Sequence, residues 1–394
     1  MPGPLASLKV LDFTSLLPGP FATMALADMG AAVVRVESPT RPDMVRFLPP
    51  YDGDASAWHG VLNRNKRSLA LDLKRPGAAE VIRRLVTDGA YDIVIEQFRP
   101  GVMDRLGIGF DSLRAANPAL IFCALTGYGQ TGPLRDRAGH DVNYLALSGA
   151  LSYSGRRETG PPPLGIQVAD LGGGALGALV GLLAAVIHRA ATGEGQFVDI
   201  SMFDMMVAWQ AHLISHALVA GETPTAEEMA LNGGRPYDIY ETADGRWLSV
   251  GSLEPKFWEG FCAAVGRPDL VAPGLSLDQD DQAWVKAEAR AAILARPLAD
   301  WIEVFAPLDA CVEPVLTVPE ALAQPHVAAR GLVVDVPKPG GGSQRQIASP
   351  WRFSGDAANY HPVAYRHTGA PLGAHTAEVL REAGFTESEI EGFL

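Results

Sequence analysis

The apolar positions of this chain come in short runs, each closed by glycine or proline. LKVLDFT (8–14) is an apolar stretch of strand length. PGPFATMALADMG (18–30) follows, with two prolines at its start and Gly30 at its end. Those are the marks of a helix opened at its first turn and stopped by a left-handed residue. AAVVRVE (31–37) is apolar and β-branched again. The rhythm continues through strand-like LALDLK (69–74), helix-like PGAAEVIRRLVTDG (76–89), and strand-like YDIVIEQF (91–98) and ALIFCALTGYG (119–129). A long apolar helix over 171–190 and strand-like QFVDISM (196–202) complete it. This order predicts an α/β fold with a parallel sheet of Rossmann-like topology.

Beyond about residue 225 the apolar period shortens to two. NGGRPYDIYETADGRWLSVGSL (232–253) alternates apolar and polar positions and turns at Asp244-Gly245, a hairpin signal. Helical segments follow around 255–266 and 282–296. The change predicts a large Rossmann-like domain from 1–200 and 335–394, a linker over 201–224, and a smaller α+β domain over 225–330. The glycine-rich stretch 337–347 reads as a surface loop. The tail 373–393 reads as two amphipathic helices, with Thr386 as N-cap and Glu389 three residues on.

Composition narrows the function. In 394 residues, 47% hydrophobic content supports a large core. A net charge of −13 opposes binding to nucleic acid. Cys123, Cys262 and Cys311 are widely spaced and form no CxxC, so neither a disulfide framework nor a metal site is expected. The start MPGPLASLKVLDF has no charged segment followed by a long apolar one, and the expected location is the cytoplasm. Leu171 to Ile187 is uncharged, but its five glycines and close polar flanks make it a buried helix, not a membrane span. No GxGxxG follows the first strand and no GxxxxGK[ST] occurs, so the dinucleotide and P-loop signatures are missing.

Two places concentrate chemistry. AGHDVNYLALSG (138–149) packs His140, Asp141, Asn143 and Tyr144 in front of an apolar run, after a glycine-rich loop delivered by a strand end. In GIQVADLGGGALGAL (165–179), Asp170 reads as a helix N-cap. Capping does not explain Gly172, Gly173 and Gly174, which cost about 1 kcal/mol each against alanine. The triplet implies that something approaches the backbone closely, and a carboxylate there can serve as base or nucleophile. The run LNRNKRSLALDLKR (62–75), with Arg99 and Arg105, reads either as a solvated basic face or as a site for phosphates.

These motifs resemble, in order and over nearly the whole chain, the class III (CaiB/BaiF-type) coenzyme A transferases. They include LDFTSLLPGPFATMALADMGAAVVRVE, KRSLALDLKRPG, FRPGVMDRLGIGF, LTGYGQTGP, AGHDVNYLALSG and ADLGGGALGALVGLL. AGHDVNYLALSG is similar to the α-methylacyl-CoA racemase branch. The resemblance implies that His140 and Asp170, 30 positions apart, are two catalytic bases. It implies that Arg105 and Glu254 also line the site. It places coenzyme A contacts at Leu71, Asp72, Leu73, Lys74, Arg99, Gly139, Asp141, Val142, Asn143 and Tyr144. Ser38 stands where close racemases carry a nucleotide-contacting arginine, and Arg35 and Arg41 are the candidate substitutes. The family fold is an interlocked, ring-threaded homodimer, which would bring Glu254 from the second chain.

The expected activity is racemisation of a 2-methylacyl-CoA by proton transfer through an enolate. Two proton carriers flank the α-carbon, and preorganised N–H groups, expected from the Asp170 helix, hold the enolate oxygen. Asp141 would orient His140, while Asn143 and Tyr144 position the thioester. Coenzyme A enters as part of the substrate, and no other cofactor is implied. The alternatives are a CoA-transferase with Asp170 as nucleophile, and a catalytically silent acyl-CoA-binding relative.

Overall fold

Six apolar runs become one sheet: β1 (Lys9–Phe13), β2 (Ala32–Glu37), β3 (Arg67–Ala70), β4 (Ile93–Glu96), β5 (Ile121–Thr126) and β6 (Phe197–Ser201). The computed structural model describes residues 3–355 and 363–393. All neighbouring strands are parallel, in the order β3-β2-β1-β4-β5-β6. This is the doubly wound order, whose direction of winding reverses between β1 and β4 and opens a crevice at the carboxyl ends. Every residue of β4 and β5 is buried, which explains their unbroken apolar runs.

The helices that position the site are α1 (Pro18–Asp28), α2 (Asp141–Leu147), α3 (Ala169–Thr192) and α4 (Met202–Trp209). The first part of α3, Ala169–Leu176, is π-helical and the rest, Gly177–Thr192, is α-helical. By length and composition α3 is apolar enough to cross a membrane. It packs against α1, α4, β5 and β6, and half of its most apolar window is buried.

The chain forms two compact units, 1–147 with 164–209 and 325–394, and 148–163 with 210–324. This division differs from the sequence-based one: residues 325–330 fall in the first unit, 210–224 belong to the second, and two further differences have a visible cause. Residues 148–163 join the second unit because Arg156 binds Asp238 (2.6 and 2.8 Å) and Glu227 (3.2 Å). Residues 202–209 are no linker but α4, packed on α3. In the second unit, β7 (Asp238–Glu241), β8 (Trp247–Val250) and β9 (Val312–Pro314) form an antiparallel sheet. It covers a core that includes Trp258, Phe261, Trp301 and Phe305.

Two further expectations are corrected. The stretch 337–347 is not simply a loop. β10 (Val333–Pro337) and β11 (Ser343–Ile347) pair as a hairpin, and Gly340, Gly341 and Gly342 make its turn at positive φ. Its inward residues are glutamines: Gln344 and Gln346 are buried and hydrogen-bonded to each other (2.6 Å). The basic run 62–75 is largely internal. Arg64 pairs with Asp28 (2.6 Å) and Lys66 with Asp12 (3.2 Å), all buried, and Arg67 binds Glu378 and Glu382 (2.8 Å each). Charges that the fold neutralises in this way cannot serve as a phosphate face, and only Lys74 and Arg75 remain exposed in the run.

Candidate active site

The loops leaving β4 and β5 enclose a cleft of about 440 Å³ in the first unit. Gln97, Phe98 and Arg99 form one side, Thr126 and Gly127 the floor, and Arg135, Arg137, Gly139, His140, Asn143 and Tyr144 the other side. The cleft lies at the carboxyl edge beside the winding reversal, where this topology places ligands. Gln97 Oε1 accepts from Gly19 N–H (3.2 Å), tying the β4 exit to the start of α1. Arg99 donates to the Asp136 carbonyl (3.3 Å) and joins the two sides. Three arginines on one small cleft of an acidic protein make it receptive to anions.

The 138–144 motif is built around its own backbone. His140 N–H donates to Asn143 Oδ1 (3.0 Å), which fixes the entry to α2. Tyr144 is buried, and its hydroxyl donates to the Gly139 carbonyl (2.7 Å). A Cβ at Gly139 would lie 2.7 Å from the Tyr144 ring, so this glycine is required by close approach. Asn143 and Tyr144 therefore shape the wall that presents His140, which is itself exposed and lines the cleft. Asp141 does not orient His140 as expected. Its Oδ1 accepts from the Ala169 (2.6 Å) and Asp170 (3.0 Å) N–H groups.

Asp170 is half-buried and stands inside the first turn of α3, not at its N-cap. Its carboxyl is pushed up to about 6, chiefly by burial and further by the charge of Asp141, while His140 pulls it down. A carboxyl at this value exchanges protons near neutral pH. Asp170 does not itself line the cleft. The glycine triplet is approached by the protein's own core. A Cβ at Gly172 would strike the Trp209 ring, one at Gly173 would crowd Met206, and one at Gly174 would crowd Pro18 and Met202.

The other expected residues are more dispersed. Arg105 is exposed on the helix Val102–Arg105, outside the cleft lining. Glu254 belongs to the second unit, exposed at the N-cap of the helix Pro255–Ala264. Arg35 is 2% exposed and bound to Asp43, with Glu37 at 3.7 Å, so it cannot replace the missing nucleotide contact at Ser38. Arg41 remains exposed. Leu71 is buried, while Asp72 Oδ1 accepts from Lys74 N–H (3.0 Å) in a turn at the end of β3. Val142 is exposed beside His140. Arg135 and Arg137 line the cleft and were not anticipated; their signal was two cations just before His140.

Residues 5–376 match the profile of CoA-transferase family III. The chain is 37% identical to human α-methylacyl-CoA racemase over 390 residues, covering 98% of this chain and 95% of that protein. It is also 37% identical to succinyl-CoA:mesaconate CoA-transferase of Haloarcula hispanica, over 97% of both chains. A CaiB/BaiF family protein from Brucella suis has a similar solved structure, with a TM-score of 0.80 and 28% identity, covering 97% of this chain and 100% of that one. With that sheet order, that cleft and these relatives, the chain belongs to CoA-transferase family III.

Proposed function

We propose that this protein is a 2-methylacyl-CoA racemase that moves the α-proton between His140 and Asp170. The observation that carries this reading is the presence of two different proton carriers, with the charge of His140 acting on the Asp170 carboxyl, beside an anion-receptive cleft. Racemases and transferases match the chain at equal identity, so the choice rests on residues. A transferase needs only the Asp170 carboxylate, as nucleophile. A two-base proton transfer also needs a second proton carrier, the role that the resemblance to the racemase branch gives to His140.

In this reading one base takes the α-proton from one face and the other returns a proton to the opposite face. The intermediate enolate needs N–H donors. Ala169 and Asp170 N–H are already engaged by Asp141, so the donors are the Asp141 and Val142 amides, which open α2 and have no intrahelical partner. Arg99, Arg135 and Arg137 receive phosphate oxygens, and the Leu71–Lys74 turn and Arg41 take the nucleotide end. Those positions span the carboxyl edge from β3 to β5, roughly 19 Å at the usual strand spacing.

The test is incubation of one 2-methylacyl-CoA enantiomer in D₂O without an acceptor acid, followed by hydroxylamine. α-Deuteration with loss of chirality and an unmodified Asp170 are expected. A substrate-dependent adduct on Asp170, with CoA passed to an added acid, would instead establish the transferase reading.

The proposal includes an interlocked homodimer in which Glu254 serves the partner's site. Its support is the family resemblance and an unpartnered stripe on α3, where Leu176, Val180 and Ile187 are 40%, 70% and 71% exposed. Co-refolding His140→Ala with Glu254→Ala chains should restore part of the activity, because each mixed dimer keeps one intact site. A soluble mixed dimer without recovery would refute the shared site.

A further inference from the structure

We propose that Asp141 is a positioning residue that holds the turn carrying Asp170 and joins it to the wall carrying His140. The geometry is specific. A single oxygen, Asp141 Oδ1, accepts two consecutive N–H groups, Ala169 (2.6 Å) and Asp170 (3.0 Å), from a segment 28 and 29 positions away. α1 and α4 pack on the glycine turn behind Asp170, and Asp141 supplies the side-chain hydrogen bonds at its leading end. The N-cap of α3, Val168, supplies no side-chain hydrogen bond, and the first turns are π-helical and contain three successive glycines. Glycine and π-helical geometry allow the backbone more than one arrangement at this end. The two charge-assisted bonds select one of them. Asp141 adjoins His140 in sequence, so one carboxylate sets the placement of both bases.

The same carboxylate acts on Asp170 through charge, and it helps to keep the Asp170 carboxyl raised. Among the elements packed on this turn, α1 carries Asp28, which is bound to Arg64. β6 carries Asp199, which accepts from Gln130 N–H, and α4 carries Asp204; the α-helical part of α3 carries His188 and Arg189. The charges that act on the Asp170 carboxyl are those of Asp141 and His140.

This inference rests on the two-base reading, yet its test does not depend on which reaction occurs, because Asp170 must be ionised both as nucleophile and when it takes the α-proton, and α-exchange is followed from the enantiomer it deprotonates. The wild type first shows whether the reaction is α-exchange or CoA transfer. The pH profile of that reaction is then measured for Asp141→Ala and Asp141→Asn. Asp141→Ala removes both bonds and should lower kcat roughly 10–100-fold, with KM within about threefold. Asp141→Asn keeps an acceptor oxygen without its charge. It should recover kcat to within about fivefold of wild type at its own optimum. Its acidic limb should move roughly half a pH unit or more to the acid side, since loss of a like charge lets Asp170 ionise earlier. An unmoved limb in Asp141→Asn, a wild-type rate in Asp141→Ala, or an Asp141→Asn protein that does not fold would each overturn the proposal.

Discussion

Asp170→Asn should lower α-proton exchange by roughly 10³–10⁴-fold, the upper range for loss of a general acid–base group. The change is nearly isosteric and retains the backbone N–H that binds Asp141, so the turn should keep its place. The loss should fall on kcat, with KM for the acyl-CoA within about threefold of wild type, because the cationic groups of the cleft are untouched. Stability should move the other way. The folded pKa of Asp170 is raised from 3.8 to about 6. A carboxyl raised on folding favours the native state below its unfolded pKa, and that contribution is lost as pH rises through the folded value. At pH 7 the wild type therefore carries an unfavourable buried charge that asparagine lacks. The variant should melt at a higher temperature than wild type at pH 7, and the gap should close below pH 4. Thermal melts at both pH values, beside exchange rates, check this. A variant that is both active and less stable at pH 7 would remove Asp170 from the role of buried base.

His140→Ala should cost roughly 10²–10⁴-fold in racemisation, with a signature that a general loss of structure would not produce. The His140 backbone N–H, which bonds Asn143, survives the substitution, and the exposed side chain is not needed for packing. Asp170 remains able to take a proton from the face it serves. The variant should therefore still exchange the α-proton of one enantiomer with D₂O, slowly and with retention, while the other enantiomer stays protiated. Proton NMR of each enantiomer separately reads this directly. Equal residual exchange of both, or a racemisation rate within about threefold of wild type, would show that His140 is not one of two facing bases.

The large domain was legible because its signals are local. The six strands are short apolar runs between glycines and prolines, and each appears within a few residues of its expected place. The tail helix is marked by its capping box at Thr386 and Glu389, and both bonds are present. What escaped the sequence reading depends on partners distant in the chain. Arg35 was offered as a ligand contact because nothing in AAVVRVE shows that Asp43 and Glu37 will enclose it. The β10–β11 hairpin was hidden because its inward positions are glutamines, one of which accepts from Arg64 nearly three hundred residues earlier. In the site, the family resemblance supplied the two proposed proton carriers, while the expected pairing of Asp141 with His140 differs from the bonds that Asp141 makes. An acid next to a histidine suggests a local pair, whereas this one reaches the amides of another helix. The glycine triplet is a place of close approach, and the groups that approach it are Trp209, Met206, Met202 and Pro18.

The segment 148–163 lies between the two proposed bases in sequence but belongs to the second unit, fastened through Arg156 to Glu227 and Asp238. Asp238 in turn binds Lys286 (2.7 Å). During synthesis from the N-terminus, His140 and Asp170 therefore emerge well before the anchors of the loop that connects them. Until the ribosome has passed Glu227 and Asp238 that loop lacks its Arg156 anchors, and closing it carries an entropy cost. The nascent sheet has all six of its strands by β6, but the link between α2 and α3 is fastened only after later residues emerge. A ribosome-bound fragment ending near Trp209 would thus hold both proposed proton carriers and lack the Glu227 and Asp238 anchors of the chain between them.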